Sequence, residues 1–224
     1  MEEELFLKHS ERKIVKVKSQ KKEERTVKKE KFTTKTLVRS AILSVMIIVL
    51  AYLPINVGAL SITLTIIPIA VGAIIYGPTV GFILGAVFGT VSFIQCFGYS
   101  PFGLQLLSMN WFYTFLVCVP TRILAGWLPA LISRAFRKIN FNRHLSDAIC
   151  SILVPLFNTI FFMSTLIICY YQTDFIQGIV KALGATNTFM FVILFVGING
   201  LVELLAGAFI TFPVVKTLNH FLKQ

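Results

Sequence analysis

Hydrophobic positions along this chain fall in long runs from residue 37 onward, interrupted by short clusters of Gly, Pro and Asn and by one basic segment at 134–146. A bilayer core takes about 20 apolar residues per helix, and lipid-facing segments can be apolar all round. Cutting the runs at their turn signals predicts six helices. The first covers Leu37–Leu53 and stops at Pro54; the second covers Thr63–Tyr76 and stops at Gly77-Pro78. The third covers Thr79–Phe97, ending in Gly98, Ser100 and Pro101, and the others cover Leu107–Ser133, Leu145–Tyr170 and Asn187–Val215. The second is short, which suits a tilted or partly spanning segment. Residues 1–36 read differently, as a solvated extension with the charged blocks KKEER (21–25) and KKEK (28–31). Two roles stand open for it: an arm attracted to anionic headgroups, or a segment that binds a protein.

Composition agrees with this division. Hydrophobic residues make up 56% of the chain and charged ones 14%, against about 25% charged in a soluble domain. Residues 1–39 hold 13 of the 21 Lys and Arg, and no charged residue occurs in the 82 positions from Ser40 to Thr121. A soluble enzyme, a nucleic-acid-binding domain and a disordered regulator are excluded. The net charge of +11 is a topology signal instead. With the N-terminus inside, the inner segments carry nineteen basic residues and the outer loops only Lys181, a strong positive-inside bias. The expected fold is an all-α integral membrane protein, a six-helix bundle over 37–220 in the cell membrane with both termini cytoplasmic. No secretory signal peptide is expected. The four cysteines read as buried thiols, and the three dispersed histidines give no metal site.

Three polar features remain in the apolar region. Gly77, Gly81, Gly85 and Gly89 recur in steps of four, so they share one helix face that lets another backbone approach closely. Packing within the bundle and docking of another membrane protein both fit that face. Arg122 and Glu203 each lie roughly 18–20 Å from the inner ends of their predicted helices. A charge at that depth costs several kcal/mol unless paired or hydrated. A mutual ion pair follows, either purely structural or with Arg122 also serving as counter-charge to an anionic ligand. Finally, Asn110, Thr114, Cys118 and Arg122 at spacing four, beside Trp111, Ser151, Asn158 and Thr165 at spacing seven, and Asn199 with Glu203 form three polar stripes on consecutive helices. Asn side chains in hydrocarbon need partners, so the stripes face inward and suggest a polar cavity.

Missing motifs narrow the chemistry. The chain has no GxxxxGK[ST] for ATP hydrolysis, no HExxH and no nucleophile with a base at plausible spacing. An enzyme would need one of these, a purely structural protein would not need three polar stripes, and a stand-alone facilitator would need no motif at all.

Five segments, 62–81 (ITLTIIPIAVGAIIYGPTVG), 88–92 (FGTVS), 120–126 (PTRILAG), 158–159 (NT) and 199–203 (NGLVE), occur in an order and spacing that resemble the substrate-binding S component of energy-coupling-factor (ECF) vitamin transporters, most like the pantothenate type. The resemblance implies a subunit that captures one vitamin from outside in a cavity of its last three helices, closed by outer loops, here around Val57–Ile62 and Gly98–Gln105. It implies partners: a membrane scaffold subunit and two cytoplasmic ATPases that use ATP, with no cofactor bound by this chain. It also implies a docking surface on the first helix, where Ser40, Ala41 and Ser44 stand in place of the family's Ala-x-x-x-Ala; Gly81, Gly85 and Gly89, from the spacing of four, are the other candidate docking residues. Asn110, Trp111, Arg122, Asn158, Asn199 and Glu203 are the expected substrate contacts.

Overall fold

The computed structural model describes residues 34–53, 55–57, 60–62, 64–139 and 142–221. Almost all of the predicted 1–36 extension therefore lies outside the described residues. Apart from one short hairpin and the turns that join them, the described elements are helices, in the order α1 (Thr34–Ala51), β1 (Ile55–Val57), β2 (Leu60–Ile62), α2 (Ile66–Tyr76), α3 (Pro78–Gln95), α4 (Pro101–Met109), α5 (Trp111–Lys138), α6 (Arg143–Tyr170), α7 (Asp174–Ala182), α8 (Thr188–Ala206), a π-helical turn (Gly207–Thr211) and α9 (Phe212–Phe221).

Each boundary has a local cause. Gly77, at φ +87°, separates α2 from α3, and Pro78 opens α3 at a position where its missing N–H costs nothing. The predicted helix 107–133 is broken near its start. Asn110 has extended backbone, and its side-chain oxygen accepts from the N–H groups of Phe112 (3.0 Å) and Tyr113 (3.2 Å), capping α5. What precedes it is the separate helix α4, capped by Ser100, whose hydroxyl accepts from the Gly103 N–H at 3.1 Å. The segment Gly98–Gln105, expected to be a lid loop, is therefore largely helix. The other expected lid, around Val57–Ile62, contributes the antiparallel hairpin, paired Ile55 to Ile62, Asn56 to Ser61 and Val57 to Leu60. Its turn residues 58 and 59 lie outside the described residues.

Three described helices, α3, α5 and α6, are long and apolar enough to cross a membrane. The apolar stretches Thr36–Ala51, Ile66–Tyr76 and Thr188–Gly197 are shorter. With 11 residues, α2 is about 16 Å long and falls well short of a bilayer core of about 30 Å. Most of its residues are buried, so its neighbours surround it on nearly all sides.

The glycine ladder has an internal partner. A methyl group added at Gly81 would lie 2.5 Å from the Gly126 carbonyl oxygen, one at Gly85 2.5 Å from the Arg122 carbonyl, and one at Gly89 2.8 Å from Val119 Cα. The sequence suggested that these glycines could serve as a docking face for a partner; they are the contact between α3 and α5, buried within this chain. Cβ atoms would push the two backbones apart, which is why the register runs Gly81 to Gly126 and Gly89 to Val119.

Two apolar cores flank this contact. One gathers Ile47, Ile66, Ile69, Val80, Leu84 and Phe88 around α1, α2 and α3. The other gathers Leu106, Val117, Met163, Leu166, Tyr170 and Phe191 around α4, α5, α6 and α8.

Candidate functional site

Between the two cores lies a cavity of about 270 Å³. Phe88 of the first core and Leu106 and Val117 of the second form part of its wall. Its charged and amide groups are Arg122, Asn158, Glu203 and Gln95. Polar groups from α3, α5, α6 and α8 thus converge on one small, mostly apolar space, the usual build of a small-molecule site.

Arg122 dominates it. Pro120, two residues earlier, removes a helical N–H and loosens this turn of α5. Thr121 Oγ1 donates back to the Val117 carbonyl at 2.5 Å. One guanidinium nitrogen of Arg122 donates to the carbonyls of Val117 (3.1 Å) and Cys118 (3.2 Å). The guanidinium carbon lies 5.0 Å from the ring centre of Phe88 and 5.4 Å from that of Phe162, so both rings offer their electron-rich faces to the cation. Its Nε is buried without a hydrogen-bond partner. The Arg122 charge acts on the Glu203 carboxyl across the cavity, without the direct contact expected of a mutual ion pair. Glu203 faces the same cavity, but among the described residues no direct ion pair joins it to Arg122; backbone carbonyls and aromatic rings hold the guanidinium instead.

A family model described as "ECF transporter, substrate-specific component" matches residues 35–215. The chain belongs to that family. It is a substrate-binding subunit of a membrane transporter and not an enzyme; S components of this kind bind a small molecule and work with a scaffold subunit and ATPase subunits. No curated protein sequence matches the chain.

In this S component three of the six expected contacts, Arg122, Asn158 and Glu203, share the cavity. Two do not. Asn110 is used as a helix cap, and its carbonyl accepts from Tyr170 Oη (2.7 Å) and Thr114 Oγ1 (2.8 Å). Trp111 follows it on the outer surface, 67% exposed. The stripe Asn110–Thr114–Cys118–Arg122 therefore divides: its first half secures the helix start, and its second half lines the cavity. The side chain of Asn199 lies outside the described residues.

Other lining residues escaped the sequence reading. Gln95 ends α3, and its Nε2 donates to the Ala51 carbonyl at 2.7 Å, tying the ends of α1 and α3 together at the cavity wall. Tyr52 and Tyr99 meet edge to face at 5.3 Å beside it. Gln95 is the only amide in the third predicted segment, and that rarity was the available signal. Among the expected docking residues of α1, Ser40 is buried and its carbonyl accepts from Ser44 Oγ at 2.9 Å, whereas Ala41 is exposed beside Ile42 and Val45. No described group of three or more His, Cys, Asp or Glu residues could hold a metal.

Proposed function

We propose that this S component captures pantothenate, with the carboxylate of the vitamin against Arg122 and its amide and hydroxyls against Asn158 and Gln95. The observation that carries the reading is the guanidinium of Arg122, held by two carbonyls and two rings, facing a cavity it shares with Asn158. A carboxylate is the complement of a guanidinium in a cavity wall. Cavity size favours the same ligand. About 270 Å³ lies just below the range of drug-sized sites, which suits a short, flexible acid better than the fused rings of riboflavin or folate. Glu203 keeps the site from being simply cationic and favours a ligand with donors next to its acid group.

In this reading six segments span the membrane, the charged N-terminus and the C-terminus are cytoplasmic, and the exposed face of α1 at Ala41 meets the scaffold subunit. Partner subunits hydrolyse ATP, and this chain binds no cofactor. Proteoliposome uptake tests the division of labour. The chain alone should bind vitamin without concentrating it, and accumulation should require the scaffold, both ATPases and internal ATP. Accumulation against a gradient by the chain alone would make it a self-sufficient transporter and end this reading.

A further inference from the structure

The cavity wall holds a pair of thiols that ligand capture leaves unused. Cys96 caps the end of α3, Cys118 lies in the second turn of α5, and their Sγ atoms are 3.7 Å apart although the residues are 22 positions apart in the chain. Each residue is 4% exposed, and both line the cavity, so a solute small enough to enter it meets both sulfurs. The close approach is built into the backbone. Gly89 lies two turns before Cys96, and a methyl group there would stand 3.1 Å from the Cys118 carbonyl oxygen. A disulfide needs the sulfurs roughly 1.7 Å closer, at about 2.05 Å, a movement on the scale of side-chain rotation. The remaining thiols, Cys150 and Cys169, do not line the cavity.

We propose that Cys96 and Cys118 form a peroxide-responsive dithiol in the wall of the binding cavity. The sulfur of one cysteine attacks a peroxide oxygen, the O–O bond breaks, and the product is a sulfenic acid plus water. The second sulfur then attacks the sulfenic sulfur, forms the S–S bond and displaces the hydroxyl, which leaves with the second thiol proton as another water. Both sulfurs are oxidised by one electron each, and the two peroxide oxygens are reduced. The bond would lock the end of α3 to α5 where α4 packs on it, because a methyl group at Gly103 of α4 would lie 2.6 Å from Cys96 Sγ. With that corner fixed, the wall cannot adjust around a ligand, and oxidation shuts off capture. This consequence rests on the cavity being the vitamin site; the cross-link itself does not.

Full-length chain in lipid nanodiscs is treated with hydrogen peroxide, free thiols are blocked with N-ethylmaleimide, and the digest is read by mass spectrometry with and without dithiothreitol. The expected result is a Cys96–Cys118 cross-linked peptide that disappears on reduction, with Cys150 and Cys169 alkylated. Alkylation of both Cys96 and Cys118, or sulfinic acid on either without the cross-link, overturns the proposal. Pantothenate is then titrated into reduced, oxidised and re-reduced samples, with at least a tenfold loss of affinity expected on oxidation and recovery on reduction. Equal affinity in the cross-linked sample overturns the regulatory role. A reduced chain that binds no pantothenate defeats the ligand assignment instead, and the mass measurement still decides the dithiol.

Discussion

The hydroxyl of Tyr170, the last residue of α6, stands 2.7 Å from the carbonyl oxygen of Asn110, where α4 gives way to α5. The backbone ladder continues through this junction, since the Asn110 N–H donates to the Leu106 carbonyl and the Thr114 N–H to the Asn110 carbonyl, both at 3.1 Å, and the phenol adds a link from a third helix. Tyr170 Oη also lies 3.1 Å from the Leu106 carbonyl and 2.8 Å from Thr114 Oγ1, so its single proton and its lone pairs tie the end of α6 to the junction of α4 and α5. The position of α4, which covers the cavity with Phe102 and Leu106, is thereby set by a residue about 60 positions away in the chain.

Tyr170→Phe should therefore destabilise the protein by about 0.5–1.5 kcal/mol, the net worth of one hydrogen bond, because the carbonyls keep their backbone donors. The ring still fills its place in the core, so the loss isolates the hydroxyl. Thermal melting in nanodiscs reads it, and an unchanged midpoint would show that the break needs no phenol.

The glycine contact predicts opposite signs for one substitution at two positions. Gly85→Ala places a methyl group 2.5 Å from the Arg122 carbonyl, which must separate α3 from α5 and should cost about 1–3 kcal/mol. Gly178→Ala in α7 meets nothing within 4 Å and should be neutral or stabilising by up to about 1 kcal/mol, because alanine is the better helix former. Equal melting shifts for the two variants would remove the close-packed contact.

Much of this fold was legible because intramembrane helices announce themselves as long apolar runs. The predicted Leu145–Tyr170 and Thr79–Phe97 differ from α6 and α3 by two residues or fewer at each end. The break at Asn110 was hidden because apolar residues continue on both sides of it, and the capping role of Asn was outweighed by that continuity. The nine-residue α7 lies among turn signals and was absorbed into a loop, although Ile176 and Val180, one turn apart, both pack inward. At the site, Arg122, Asn158 and Glu203 were legible because polar groups at membrane depth are expensive. Gln95, Cys96 and Tyr52 were not, since they reach the cavity from helix ends that only the folded chain brings together. Spacing of four told which face of α3 was small, but not which helix would lie against it.

Charge at the cavity can be separated by two isosteric-minded variants. Arg122→Gln should weaken binding of an anionic vitamin about ten- to a hundredfold, the range of one charge-assisted hydrogen bond. Glu203→Gln should leave affinity for that anion unchanged or improved, since it removes a like charge from the cavity. Calorimetry on both variants checks this, and a loss at Glu203→Gln as large as at Arg122→Gln would mean that the two act as one unit.

The proposed cytoplasmic placement of both termini rests on the nineteen-to-one distribution of basic residues. Single cysteines introduced at Ser10 and Gln224 should resist a membrane-impermeant maleimide in intact cells and react after permeabilisation. Ready labelling at either position in intact cells would overturn the cytoplasmic assignment of that terminus.

The most direct test of the account is titration of the isolated full-length chain, without scaffold or ATPases, against pantothenate, riboflavin and folate by calorimetry. Saturable one-to-one binding of pantothenate alone, weakened at least tenfold by Arg122→Gln, is the predicted result. Tight binding of riboflavin or folate with no heat from pantothenate, or pantothenate binding indifferent to Arg122, would contradict it.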